Sequence, residues 1–262
     1  MSVDKPASEA TVDRDELVAY LDRYLLADQG DDFCPNGLQV EGSATIQRLV
    51  TGVSACRELF DRARRRQADA VLVHHGIFWE GTTRTLTGYQ FRRVAQLIAG
   101  RLNLIAYHLP LDRHPEVGNN AIAARRLGLS QLEPFGDYSG ASLGFKGEFD
   151  EELSLPELLD RCRSVFQQEP LCFPEGPKAV STIGMISGAA ESSFHQAIAA
   201  GLDAYITGEA SEWVMNVARE TGTHFIAAGH YATERLGIQA LGDHLVQQFG
   251  VDVQYEEIPN PV

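Results

Sequence analysis

Cysteine is scarce in this chain of 262 residues. Its four cysteines, Cys34, Cys56, Cys162 and Cys172, are too few for a disulfide framework, and no two form a C-x-x-C pair. They read as reduced thiols that serve packing. Basic residues are also in short supply: 22 Lys and Arg stand against 36 Asp and Glu, a net charge of −14. Phosphate neutralisation dominates nucleic-acid affinity, so this balance argues against a nucleic-acid partner. The basic cluster Arg62 to Arg66 falls late in an apparent helix, where cations suit the helix dipole.

Long apolar runs are missing as well. None reaches the roughly 18 residues of a membrane span. The opening stretch has no apolar signal core and turns acidic early, so the expectation is a cytoplasmic protein with no membrane partner. Several familiar chemistries are absent too. No two glycines lie two apart, which removes a G-x-G-x-x-G fingerprint, and there is no G-x-x-x-x-G-K-[ST] phosphate loop. Cys34 precedes Pro35 in a turn, and nothing in the sequence pairs it with a histidine as a nucleophile.

What is present is a globular composition, 44% hydrophobic, long enough for one large domain or two ordinary ones. Residues 13–26 carry an apolar helical stripe at Leu17, Tyr20, Leu21, Tyr24 and Leu25, with Asp13 placed to cap it. Downstream, strand-like and helix-like stretches alternate. "IQRLVTGVS", "ADAVLVHHG" and "LNLIAYH" read as buried strands, with helices at "CRELFDRARRRQ" and "FRRVAQLIAGR" between them. That alternation indicates α/β units around a mainly parallel sheet.

The second half repeats the pattern, with strands at "STIGMISGAA", "LDAYITGE" and "THFIAAGH". Aligning "ADAVLVHHG" with "LDAYITGEA" sets Asp69 opposite Asp203, and His74-His75 opposite Gly208-Glu209. Aligning "LIAYHLPLD" with "FIAAGHYATE" sets His108 and Asp112 opposite His230 and Glu234. The chain reads as a degenerate duplication of one α/β unit. A first repeat spans residues 1–129 and a second spans 181–262. Between them, 130–180 reads as a connector or small insert with a capping box at Ser154 and Glu157.

Histidine numbers only eight, yet His74, His75, His108 and His230 all fall at predicted strand ends. Open α/β sheets place ligands there. A lone histidine in such a position is most often a hydrogen-bonded core residue. Four of them, two followed after four residues by a carboxylate, point to metal instead. Neighbours on a regular strand face opposite ways, so His74 and His75 suit a strand end or two separate ions. His230 and Glu234 share one face if a helix starts after Gly229. Mixed imidazole and carboxylate donors suit Zn, Mn, Fe(II), Co or Ni. The other histidines lack this setting: His195 and His244 lie in predicted helices, His224 opens a strand and His114 precedes a proline.

The stretches "PNGLQVEG", "ADAVLVHHGIFW", "YHLPLDRHPEVGNNAIAARRLG", "DAYITGE", "AAGHYATERLGIQAL" and "IPNP" resemble the GTP cyclohydrolase 1 type 2 homologue family, also called the NIF-three-like family. The likeness runs from about residue 12 to the C-terminus. It implies two intertwined α/β repeats with mixed sheets and a pair of divalent metals, of unfixed identity, in the cleft between the repeats. It implies His74, His75, Asp112, His230 and Glu234 as ligands, with Glu234 bridging. His108 is then a nearby residue that transfers protons or supports a ligand. Tyr231 stands where many family members have a second histidine. The family name implies a hydrolase in which metal-activated water opens the imidazole ring of a purine nucleotide and releases formate. A hydrolase of another small molecule, and a non-enzymatic metal-binding regulatory or interaction protein, remain as alternatives. Assembly as a homo-oligomer, a ring-shaped hexamer, is also implied.

Overall fold

The computed structural model describes residues 10–82 and 85–262. The first nine residues, on which the reading of the N-terminus partly rests, lie outside the described ones. The chain forms two compact units. One comprises the residues up to Pro110 together with Ile238–Ile258, and the other comprises Leu111–Gly237 with Pro259–Val262. No helix among the described residues is long and apolar enough to cross a membrane.

In chain order the first unit holds β1 (Val12–Asp13), α1 (Arg14–Tyr24), β2 (Gly37–Val40), β3 (Thr45–Ile46), β4 (Arg48–Ser54), α2 (Arg57–Arg65), β5 (Ala70–His75), α3 (Gly88–Gly100) and β6 (Asn103–Ala106). Helix α4 (Leu109–Arg113) follows. The second unit continues with α5 (Asn119–Leu127), β7 (Leu129–Tyr138), β8 (Ala141–Ser154), α6 (Leu155–Phe166), β9 (Leu171–Phe173) and β10 (Ala179–Met185). It then runs through α7 (Phe194–Ala199), β11 (Ala204–Thr207), α8 (Val214–Thr221), β12 (His224–Ala227) and the start of α9 (His230–Phe249). The rest of α9 and β13 (Asp252–Tyr255) return to the first unit.

Local chemistry accounts for many of these boundaries. The Asp13 carboxylate accepts from the backbone N–H of Asp15 and Glu16, at 2.9 and 3.2 Å, and so starts α1. Ser154 and Glu157 form a reciprocal capping box at the start of α6. Strands β5 and β11 are apolar on both faces, as parallel strands covered by helices must be. Ala70, Val71, Leu72 and Val73 of β5 are fully buried, and so are Ala204, Tyr205 and Ile206 of β11.

The first unit's five-stranded sheet runs β13-β4-β5-β6-β2, and the second unit's six-stranded sheet runs β7-β8-β10-β11-β12-β9. Their centres are alike. Strands β4, β5 and β6 pair in parallel, as do β10, β11 and β12. An antiparallel strand that precedes each trio in sequence, β2 or β9, closes its far edge. The equivalence extends to single side chains. Asp69, just ahead of β5, accepts from the backbone N–H of Gln47 and Arg48. Asp203, just ahead of β11, accepts from the N–H of Ser181 and Thr182. Both tie the start of the middle strand to the start of its neighbour.

This comparison redraws the stretch 130–180. Helix α6 and strand β9 fill the places that α1 and β2 fill in the first repeat, and only the β7–β8 hairpin is additional. That hairpin follows the first repeat yet extends the second unit's sheet, where β8 runs antiparallel to β10. Conversely β13, after the second repeat, pairs in parallel with β4 of the first. The chain therefore interleaves the two units.

Candidate metal centre

His74 and His75 end β5, and His108 follows the end of β6, so adjacent parallel strands deliver all three imidazoles to one sheet edge. They converge: a donor atom from each lies within 4.8 Å of the others. Ring centroids are 4.6 Å apart for His74 and His75, and 5.0 Å apart for His74 and His108. His74 is fully buried, His108 nearly so, and His75 half-buried.

Each Nδ1 is already engaged. His74 Nδ1 lies 3.1 Å from the Tyr107 carbonyl, which can only accept, so Nδ1 carries the proton and Nε2 the lone pair. His108 Nδ1 lies 2.8 Å from an Asp32 carboxylate oxygen, with the same consequence. His75 Nδ1 meets the Ser54 hydroxyl at 3.0 Å. Hydrogen-bonding the far nitrogen of an imidazole to a carbonyl or carboxylate is how proteins orient histidines toward a metal. The donor chemistry thus fits a divalent ion.

Asp32 is the support that sequence reasoning missed. Beyond His108, it accepts from the N–H of Cys34 and Leu109 and from the Asn36 amide. Burial alone would raise its pKa, but the hydrogen bond and electrostatic attraction of the His108 ring outweigh burial and hold the carboxyl below its ordinary value. Cys34, two residues on, is buried, and that burial pushes its thiol up to about 11. It is a packing thiol, not an activated nucleophile. Phe33 and Trp79 stand against His108, with ring centroids 4.9 and 5.1 Å away at steep angles.

In the second unit Asp112, His230 and Glu234 gather around the turn Ser187–Gly188 that follows β10. Asp112 accepts from the Ser187 hydroxyl at 2.8 Å and the Asn119 amide at 2.9 Å. Asn119 is fixed in turn by the N–H of Gly237. His230 opens α9, and its Nε2 lies 3.1 Å from Glu234 one turn later. Its Nδ1 meets Glu209, which follows β11, at 2.5 Å. Burial disfavours a charged imidazole there, but Glu234 and then Glu209 outweigh it, and the His230 pKa is pushed up to about 9. Gly188 has φ +69, and a Cβ there would collide with the Glu234 carboxylate. A glycine is thus required beside Glu234 on two counts.

The structure gathers His74, His75 and His108 in the first unit, and Asp112, His230 and Glu234 in the second. The other histidines serve the fold. His224 bonds Gly176 N–H and the Pro177 carbonyl, His244 stacks on Tyr24, and His195 stacks on Trp213. His114 accepts from the backbone of Glu116 and Val117. Glu209 had one signal in the sequence: the repeat alignment sets it opposite His75.

A sequence model of the Duf34/NIF3 (NGG1p interacting factor 3) family matches residues 12–261. The GTP cyclohydrolase 1 type 2 homolog of Pseudomonas aeruginosa is 45% identical over 245 residues, covering 94% of this chain and 97% of that protein. The homolog of the same name from Escherichia coli is 41% identical over 254 residues, covering 94% and 98%. Among solved structures, protein ybgI, titled as of unknown function, superposes with a TM-score of 0.91 at 40% identity, covering 96% of this chain and 100% of its own. TTHA1606 from Thermus thermophilus gives a TM-score of 0.88 at 36% identity, with the same coverage.

Proposed function

The chain belongs to the Duf34/NIF3 family, and from that premise and its donor set we propose that it is a dinuclear metal-dependent hydrolase of the GTP cyclohydrolase 1 type 2 kind. Its substrate is a purine nucleotide or a related small molecule. The observation that carries this reading is the imidazole triad of β5 and β6, with every Nδ1 engaged and the carbonyl and carboxylate partners turning lone pairs onto Nε2 of His74 and His108.

In this proposal His74 and His75 would supply neutral donors, Asp112, His230 and Glu234 would complete the set, and Glu234 is the carboxylate that would be shared between the ions. Covalent connection supports joining the two groups. His108 and Asp112 are four residues apart, which limits their separation to roughly 14 Å of chain. Two carboxylates against two divalent ions leave a net positive charge, suited to an electron-rich or anionic substrate. When bound, the ions supply activation of water and polarisation of the group attacked.

The remaining steps belong to the chain. His108 holds and moves a proton at Nε2, because Asp32 keeps Nδ1–H in place. Asp112 is held rigid by Ser187 and Asn119, so its ligand geometry is set before anything binds. Phe33 and Trp79 cover His108 and limit water at that nitrogen.

The test is formate release from GTP by metal-loaded protein, compared with His108→Gln. The account predicts formate from the wild type. For the variant it predicts a rate about a hundredfold lower, the scale of one lost acid–base group, at unchanged metal content. No formate and no other product from loaded wild type would contradict it.

A further inference from the structure

Beside the imidazole triad, and wholly within the first unit, lies a cavity of about 590 Å³. Phe33, Phe78 and Trp79 line it, together with Gln90 from the first turn of α3 and the carboxylates of Asp32 and Glu80. We infer that this cavity is a stacking site for a neutral planar heteroaromatic ring, a nucleobase or nucleoside, and that it holds such a ring independently of metal. The inference rests on the hydrolase reading for its role, since it names the ring presented to His108.

Three observations carry it. The first is a rigid aromatic platform. The Trp79 indole N–H is bonded to the Gly76 carbonyl at 3.2 Å, its ring lies 5.7 Å from that of Phe33, and both rings abut His108. Phe33 nevertheless remains 39% exposed, so an apolar ring face stays open to a partner. Every base has a π-face to set against such a platform.

The second is Gln90. The residue is 7% exposed and lines the cavity. One carboxamide presents a donor and an acceptor side by side, which matches the paired acceptor and donor on the edge of a base. The third is charge. Asp32 and Glu80 repel a phosphate, so the cavity accepts the ring and not the phosphate tail.

Equilibrium dialysis with labelled guanosine, on protein stripped of metal by chelator, tests this. Guanosine is expected to bind saturably, and GTP several-fold more weakly. Trp79→Ala should weaken guanosine about tenfold, the contribution of one stacked base. Gln90→Met, similar in size but without the amide, should weaken it several-fold, and Trp79→Phe should retain most of the affinity. Trp213→Phe leaves Trp79 as the sole indole of the chain's two, and its emission should quench as guanosine is added. Failure of guanosine to bind, or tighter binding of GTP to the metal-free protein, would overturn the inference. Guanosine binding that survives in Glu234→Ala supports a site independent of metal. Metal uptake without guanosine binding would sink the stacking site and leave the hydrolase reading standing.

Discussion

At the scale of single residues, the centre depends on hydrogen bonds that point donors rather than on donors alone. His230 shows the consequence. Metal-free, it lies between Glu234 and Glu209 with its pKa raised to about 9 from the ordinary histidine range. First-row ions bind the neutral ring, so metal uptake must expel that proton. Apparent affinity should therefore rise about tenfold per pH unit below that value and level off above it. Competition against a chromophoric chelator between pH 6.5 and 9.5, corrected for the chelator's own protonation, reads this slope. The stability of the metal-free fold moves oppositely. A raised pKa contributes fully below the unfolded value and is lost as pH climbs through about 9.

The candidate ligands were legible because histidines are few and fall where strands stop. Their supports were not. Asp32 reaches His108 across 76 positions, and Glu209 reaches His230 across 21. A lone acidic residue in a Gly/Asp-rich loop looks like turn chemistry until the fold closes around it. Gly188 carries no signal at all, because its positive φ and the Glu234 carboxylate beside it, which together exclude a side chain, appear only in the fold.

At the scale of elements, the repeated device is a parallel trio with an aspartate at the base of its middle strand. The Asp203 carboxylate accepts from the N–H of Ser181 and Thr182 and from the Thr182 hydroxyl. Removing it leaves those donors to water or nothing. Asp203→Ala should cost about 2 kcal/mol and lower the melting temperature by roughly 5 °C, measured by thermal denaturation. The trios were readable from their apolar runs. Strand β9 was not, since three residues between prolines look like loop. Nor was the subdivision of "SSFHQAIAAG", where a 3-10 turn over Glu191–Ser193 precedes the short α7.

At the scale of the whole molecule, the interleaving was the least legible feature of the chain's connectivity. Which sheet a strand joins is decided by which edge is open, and neither β13 nor the β7–β8 hairpin states that in its residues. The swap has a stabilising anchor: Glu256, just past β13, pairs with Arg62 and Arg66 at the end of α2. The basic cluster of that helix is thereby partly spent on holding the returning chain.

The proposal that both units feed one dinuclear centre is tested most directly by metal content per chain. The measurement compares wild type, His74→Ala from the first unit and Glu234→Ala from the second, each reconstituted with excess first-row ion and desalted. The account predicts about two ions per wild-type chain and a fall well below one in either variant, because the proposed bridged centre would need ligands from both groups. Wild type that stays metal-free would contradict it, as would variants that each lose one ion and keep the other intact.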